Sequence, residues 1–527
     1  MRTGASSGAT EPHALEQEWD AVIVGGGIAG LSAAWEMTRH GLRPLVVEAR
    51  GYTGGLIAAL TIGGVRMDVG AEAFVVRGTE VTSMVSSLGL EVIAPRGGGA
   101  QLFLPPRDDE GEPTPSGPGT SDPRRRGWAL HHFPARSLLG IPADPLAPDV
   151  VAVLGRAGAH RAAEDARMGP DVGAECTDLA SLVATRMGDT VVERLVRPIT
   201  AGIHTADPER LDADTVLPGL REALARCGSL AGAIALLRDR RPGRAVDQGV
   251  DGGMFHLTEC LSRAIEAAGG RVLTRVGARA LRPSATSDGV DQPWWSLSLA
   301  PTRPGATPSA EPVPAGPPWS VSTTRVVLAC SATAALRLLE SVPGVDTDVV
   351  VASGAPIART TLLVQAPGLD RQPVGQGLLV APGPLAPVEA KSLSHLSTKW
   401  SWVDRSVRAT HGPQAHAIRL SHGRPGQPSP SPTLEAALHD ASVLTGVDLH
   451  PEDLLAHSLV HWDGTLPPFT PEHRARVGRL AADVSRRPGL GVTGAWVAGS
   501  GIAAVVSHSR QMSRRMSDQS LPKCAQE

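Results

Sequence analysis

The feature that most restricts this chain is the run DAVIVGGGIAGLSAAWEMTRHGLRPLVVEAR near its start. Ala21 to Val24 are apolar and predict a strand buried on both faces. Gly25, Gly27 and Gly30 then supply G-x-G-x-x-G at the head of a helical stretch. Gly25 permits a tight turn, Gly27 lets backbone close on a pyrophosphate, and Gly30 lets helix and strand approach. Free N–H groups in the first helical turn would face the phosphate charge. A second strand over 44–47 leads to Glu48, eighteen residues beyond Gly30, near the spacing expected for an acid that binds a ribose hydroxyl. Strand, glycines, helix, strand and acid in that order predict a dinucleotide-binding domain of the Rossmann kind.

Composition narrows the classes that remain. The 527 residues leave room for two to four domains. A net charge of −3 gives no basic surplus for nucleic acid and no acidic tail. Five scattered cysteines without a CxxC pair imply a reduced, intracellular protein. Only three of the fifty basic residues are lysines, Lys391, Lys399 and Lys523, an imbalance expected of a GC-rich genome. Arginine counts are therefore uninformative, whereas a lysine carries weight. Tyr52 is the only tyrosine, which leaves little basis for tyrosine chemistry. His131 and His132 lack ligand spacing with any cysteine or acid, so no metal is expected. No apolar run reaches the ~18 residues of a membrane span. The first twenty residues carry no secretory pattern, so a cytoplasmic location is expected, with membrane contact at most peripheral.

Helical stretches are predicted over 30–39, 79–88, 180–195, 257–268, 332–340, 432–444 and 471–485, and strands over 21–24, 45–48, 272–273, 326–329, 361–364 and 492–496. Pro/Gly/Ser-rich stretches over 105–127, 282–318 and 424–432 read as surface insertions or disordered loops. The mixture implies an α/β fold with α+β parts. The expected organisation is a flexible arm (1–18), a discontinuous dinucleotide-binding domain (19–100, 246–340 and 455–510), a helical insertion (101–245), a mixed-sheet substrate domain (341–454) and a polar tail (511–527).

Beyond Glu48 and Ala49, the stretch EARGYTGGLI resembles the element that FAD-dependent oxidases related to amine oxidases run along the flavin's ribityl chain. Gly54 and Gly55 stand at the expected place, and Leu56 replaces the usual Arg or Lys. Asp68-Val69-Gly70-Ala71-Glu72-Ala73 is similar to the segment those proteins place over the isoalloxazine ring. His461 to Phe469, with Trp462, and the glycine-bearing stretch before Gly501, Ile502 and Ala503 resemble the family's C-terminal return to the flavin. Middle segments point to the coproporphyrinogen/protoporphyrinogen oxidases: LVRPITAGIHTADPERL, with Arg197 for the usual Glu and His204 for Tyr; VDGGM; the strand before Val276, whose backbone meets the adenine in relatives; and STKW at Ser397 to Trp400.

The resemblance implies FAD as cofactor, held by Gly25, Gly26, Gly27, Ile28, Ala29, Gly30, Glu48, Ala49, Gly55, Leu56, Gly70, Ala71, Glu72, Ala73, Val276, Trp462, Gly501, Ile502 and Ala503. It implies oxidation of coproporphyrinogen III to coproporphyrin III in heme biosynthesis. Six electrons would leave in three hydride transfers to flavin N5, with O2 reoxidising the flavin to give H2O2. Because a pyrrole nitrogen can shed its own proton, no strong protein base is required and no catalytic side chain is assigned. The substrate's propionates need cations, for which Arg77, Lys399, His395 and Arg419 are candidates. A transient handover to a ferrochelatase would follow. Alternatives are a protoporphyrinogen IX oxidase, an amine oxidase or carotenoid desaturase, and a non-catalytic binding protein of the same fold.

Overall fold

The computed structural model describes residues 19–519 apart from 77, 108–121, 204–205, 240–246, 285–293, 308–309, 350, 352–353, 463–469 and 500. The expected arm and the candidate Arg77 thus lie outside the described residues, as does most of the Pro/Gly-rich stretch 105–127.

The apolar runs near the N-terminus form the middle of a five-stranded, all-parallel sheet. Its order is Arg271–Thr274, Pro44–Glu48, Ala21–Val24, Val326–Leu328, Leu490–Val492. Sheets of this kind are buried on both faces, which is why these strands read as unbroken apolar runs. Helices Ile28–Arg39, Phe255–Ala267 and Ile502–Ser517 share one core with the sheet. After Ala21–Val24 the chain moves to the neighbour on one side, and only much later fills the other side with Val326–Leu328. This switch point, at the carboxyl ends of the strands, is where open α/β sheets bind ligands.

The second face of the sheet is covered by strands that the sequence reading treated as a loop. Val276–Ser284 and Trp294–Arg303 pair antiparallel from Val276↔Pro301 to Ser284↔Trp294, and Trp319–Thr323 pairs with the latter. Trp295, Leu297 and Leu299 alternate inward and are buried with Val22, Leu45 and Val326. The expectation of a surface insertion over 282–318 therefore fails at Trp294–Arg303, while 285–293 and 308–309 lie outside the described residues. Its Pro and Gly content masked a period-two pattern, and that pattern decides which face is buried.

A seven-stranded sheet forms the other half, in the order Leu454–Trp462, Ile357–Gln365, Ala415–His422, Ser392–His395, Gly377–Val380, Ala100–Leu104, Ala129–His132. All neighbours are antiparallel except Gly377–Val380 with Ala100–Leu104. Alternation sorts its side chains. Leu362, Val364, Ile418, Leu420 and Leu393 pack on a helical layer that includes Pro148–Ala163, Leu179–Met187, Leu220–Cys227 and Leu230–Asp239. Leu363, Ala415 and Ala417 face the segment containing Ala58, Met67 and Val69.

The segment boundaries shift accordingly. Ala100–Leu104 and Ala129–His132 join this sheet at the head of the expected helical insertion, and Leu454–Trp462 joins it rather than the nucleotide-binding part. The helix expected over 180–195 is broken at Gly188, whose φ is 90°. The strand expected over 492–496 stops at Val492, and Ala495–Ala498 is helical. Helix Ile502–Ser517 runs past the start of the expected polar tail because Met512 and Met516 are core residues.

Candidate functional site: a nucleotide cradle facing a polar sheet

The turn after Ala21–Val24 is built for close approach. Gly25 has φ 110°, and a Cβ there would stand 2.6 Å from the Ala329 carbonyl oxygen; a Cβ on Gly30 would stand 1.9 Å from the Gly25 oxygen. Gly27 caps helix Ile28–Arg39 with no side-chain hydrogen bond, so the first-turn N–H groups, which include those of Ile28 and Ala29, receive no capping side chain. A Cβ on Gly27 would meet only the Cα of Gly55, at 3.9 Å. The two glycine segments lie side by side, bridged by the Gly54 N–H donated to the Gly26 carbonyl at 2.8 Å.

Glu48 closes the cradle. Its Oε2 accepts the Gly26 N–H at 2.7 Å and its Oε1 the Arg50 N–H at 2.7 Å. Burial raises its pKa above the usual value, opposed by those two N–H donors. Each oxygen keeps acceptor capacity beyond one backbone bond, which suits a pair of ribose hydroxyls. Beside it, Arg275 (φ 58°) donates its N–H to the Arg50 carbonyl at 2.9 Å and turns the chain into Val276. The Ala49 carbonyl accepts from the Thr302 hydroxyl at 2.5 Å.

The two ends of the polypeptide meet at this edge. Glu36 accepts from Arg510 Nε at 2.6 Å and from Arg514 Nε at 2.8 Å. Glu36 and Arg510 are each eight residues into their helices, so Ile28–Arg39 and Ile502–Ser517 run parallel with their N-termini at the same end. Gly27 and Gly501 therefore cap neighbouring helices, and Gly501 also lacks a side-chain cap hydrogen bond. Ile502 and Ala503 pack into the same core as Leu31.

From Gly55 the chain leads to the second half of the site. The Leu56 carbonyl accepts the Ala71 N–H at 2.8 Å, and a Cβ on Gly70 would stand 1.8 Å from that oxygen. Asp68 accepts the N–H groups of Met254 (2.8 Å) and Phe255 (3.0 Å), capping helix Phe255–Ala267; burial pushes its pKa up to about 6. Glu72 does not stand free over this space. Lys399 Nζ donates to its Oε1 at 2.7 Å, and Arg419 donates to its Oε2. Two of the cations expected to receive propionates thus share one carboxylate of the chain itself, which occupies both and cancels one of their two charges. Ala73, half-buried, packs against the core that holds Trp400 and Leu363. Trp462 ends its strand opposite Ile357, and its buried indole N–H has no partner among the described residues.

His395 offers no charge. It is fully buried, with Nε2 at 3.2 Å from His416 Nδ1 and Nδ1 at 3.0 Å from the Thr398 hydroxyl. Burial, assisted by His416, pushes its pKa down to about 3. Its partner His416 lines a polar pocket of about 190 Å³ together with Arg96, Asp370, Asp404 and Arg408, apart from the glycine cradle.

A model of the flavin containing amine oxidoreductase family matches residues 28–292. The chain belongs to this family. Among curated proteins it is 26% identical over 500 residues to the coproporphyrinogen III oxidase of Mycobacterium leprae (strain TN), covering 92% of this chain and 95% of that one. It is 27% identical over 501 residues to the enzyme of the same name from Mycobacterium tuberculosis (strain ATCC 25618 / H37Rv), covering 92% and 94%. Among solved structures, a protein of Exiguobacterium sp. 255-15 provisionally named protoporphyrinogen oxidase superposes with a TM-score of 0.69 at 20% identity, over 94% of this chain and 98% of that one. Cyclohexylamine oxidase from Brevibacterium oxydans IH-35A gives a TM-score of 0.58 at 15% identity, over 95% and 99%.

The protein is therefore a flavin-dependent oxidoreductase, and its residues fit the cofactor. The side-chain-free glycine turn lets a diphosphate approach backbone, the two uncapped helix N-termini favour negative charge, and Glu48 suits a ribose. A bound flavin supplies two-electron acceptance.

One side chain on the facing sheet escaped the sequence reading. Arg359, on Ile357–Gln365, donates to the Gly70 carbonyl and shares a face with Thr361 and Leu363. The signal was present: a lone arginine in the otherwise uncharged run IARTTLLVQ, on a strand of which only the apolar end was recognised.

Proposed function

We propose that this enzyme oxidises coproporphyrinogen III to coproporphyrin III, with FAD as its flavin and O2 as the final electron acceptor. One observation carries the substrate choice: end-to-end similarity to coproporphyrinogen III oxidases, over 92% of this chain. The geometry agrees with it. The flavin segment at Gly70 lies against a sheet face that presents Arg359, Thr361, Arg419 and Ser421, groups suited to carboxylates.

The chemistry balances without a protein base. Each round removes a hydride and a proton from the macrocycle; over three rounds the six hydrogens lost are four from the bridging carbons and two from pyrrole nitrogens. Three rounds make the conjugated porphyrin, and three O2 leave as three H2O2. The chain's own contribution is to bind and orient the macrocycle, to keep water from the reacting carbon with the apolar residues around Val69 and Leu363, and to match its carboxylates with cations. The porphyrin product would pass, in the cytoplasm, to an enzyme that inserts iron.

The test uses the purified yellow protein with coproporphyrinogen III and protoporphyrinogen IX in separate assays, following porphyrin fluorescence and peroxide. Faster turnover of the four-carboxylate substrate is expected. A flavin-loaded protein that forms no porphyrin from either would end the proposal, and a preference for protoporphyrinogen IX would replace its substrate.

A further inference from the structure

Once Lys399 and Arg419 are committed to Glu72, the carboxylates of a porphyrinogen need other partners. The seven-stranded sheet supplies them along one row. Arg359 pairs in register with Ser421, and Ser421 pairs on its other side with Ser392. Lys391, the residue before that strand, donates its N–H to the Ser421 carbonyl at 2.8 Å and accepts the Val380 N–H at 2.9 Å. Arg424, two residues beyond Ala415–His422, donates Nη2 to the Val380 carbonyl at 3.3 Å. From Arg359 to Val380 the row crosses three strand spacings, about 14 Å, which is comparable with the breadth of a tetrapyrrole.

The row is charged, and its two arginines are under-satisfied. Arg359 Nε and Arg424 Nη1 are buried without a hydrogen-bond partner, and neither arginine has a carboxylate partner among the described residues. Lys391 is 2% exposed, and burial together with the charges of Arg359 and Arg424 pushes its pKa down to about 7. Buried donors left unpaired are costly, and like charges held together cost more. An arrangement of this kind persists in a fold when an anion completes it. The row also begins at the flavin segment, because Arg359 donates to the Gly70 carbonyl.

We propose that Arg359, Lys391 and Arg424 form the dock for the carboxylate-bearing edge of the macrocycle, replacing Lys399, His395 and Arg419 in that role. This rests on the porphyrinogen reading above and adds to it the residues that count carboxylates. Guanidinium forks match carboxylates in a bidentate manner, and Lys391 adds a point charge between them. A substrate with four carboxylates gains more from three cations than one with two.

The test is an equilibrium titration of the flavin-loaded protein with coproporphyrin III and with protoporphyrin IX, read by Soret absorbance, on the natural chain and on Arg424→Gln, Lys391→Met and Arg359→Lys. Each variant is expected to weaken coproporphyrin III binding at least tenfold, with a smaller loss for protoporphyrin IX, and Arg424→Lys should recover most of the affinity. KM for coproporphyrinogen III should rise in parallel. Unchanged affinity in folded, flavin-loaded Arg424→Gln and Lys391→Met would overturn the dock. So would variants that shed flavin while keeping porphyrin affinity, since the cations would then serve the cofactor. The porphyrinogen reading fails differently: the natural chain itself would turn over neither substrate, whatever the variants bind.

Discussion

The glycine cradle and the polar sheet face bind their ligands by opposite means. At the cradle, recognition is made of backbone: bare N–H groups, glycines that leave no side chain in the way, and one carboxylate, Glu48, held by two N–H donors. Across from it, recognition is made of long charged side chains carried on or just beside three strands, Ile357–Gln365, Ser392–His395 and Ala415–His422. A backbone site depends on shape and tolerates no added atoms. A side-chain site depends on which charge cancels which, and Glu72 shows how one residue can take two cations out of service.

Substitutions should separate the two regions. The largest effect is expected from Gly30→Val. Its Cβ would stand 1.9 Å from the Gly25 carbonyl oxygen, so the turn must open; the protein should lose all bound flavin, read as the ratio of visible to ultraviolet absorbance. Retained flavin would show that the cradle is not shape-limited. On the other side, Glu72→Ala leaves Lys399 and Arg419 as uncompensated, largely buried cations, at a cost on the order of 3 kcal/mol. Chemical denaturation should show that loss, and an unchanged midpoint would place the pair in effectively aqueous surroundings.

A pH profile probes the charge-based region alone. Lys391 has its pKa lowered to about 7 from 10.5, so it loses its proton as pH rises through 7, whereas burial leaves Arg359 and Arg424 at about 10 and still charged. Coproporphyrin affinity should fall from pH 7 to 9, and Lys391→Met should flatten that slope. Folding has the opposite sign here. The unfolded lysine binds a proton more readily, so this residue destabilises the native state below pH 7, and the penalty is relieved between pH 7 and 10.5. The smallest effect belongs to Asp68→Asn, which weakens the cap on helix Phe255–Ala267 and should cost about 1 kcal/mol. Because Asp68 has its pKa raised to about 6, the natural chain should lose stability as pH climbs from 4 to 6, a trend that the asparagine variant lacks.

What was legible in the sequence follows the same division. Gly25, Gly27, Gly30 and Glu48 were identifiable because a mononucleotide turn is a local object: strand, turn, helix and acid lie within one stretch and constrain one another by covalent connection. Residues 282–318 were misread because loop-like composition and strand-like alternation coexist there, and only packing of Trp295, Leu297 and Leu299 under the parallel sheet decides between them. Lys399 and Arg419 were sensible candidates by charge, but their use by Glu72 joins residues more than three hundred positions apart.

The amino-acid sequence alone determined the tight glycine turn at the head of the parallel sheet and the acid beside it, since steric permission for such a turn is carried by the glycines themselves. The tertiary structure alone decided that two helices from opposite ends share that edge, that His395 is buried and neutral, and that Lys391 and Arg424 gather beside the row begun by Arg359. The reason is that charge acts through space. Whether a cation is available to a ligand depends on which carboxylate the fold has placed beside it, and pairing of that kind has no local trace in the chain.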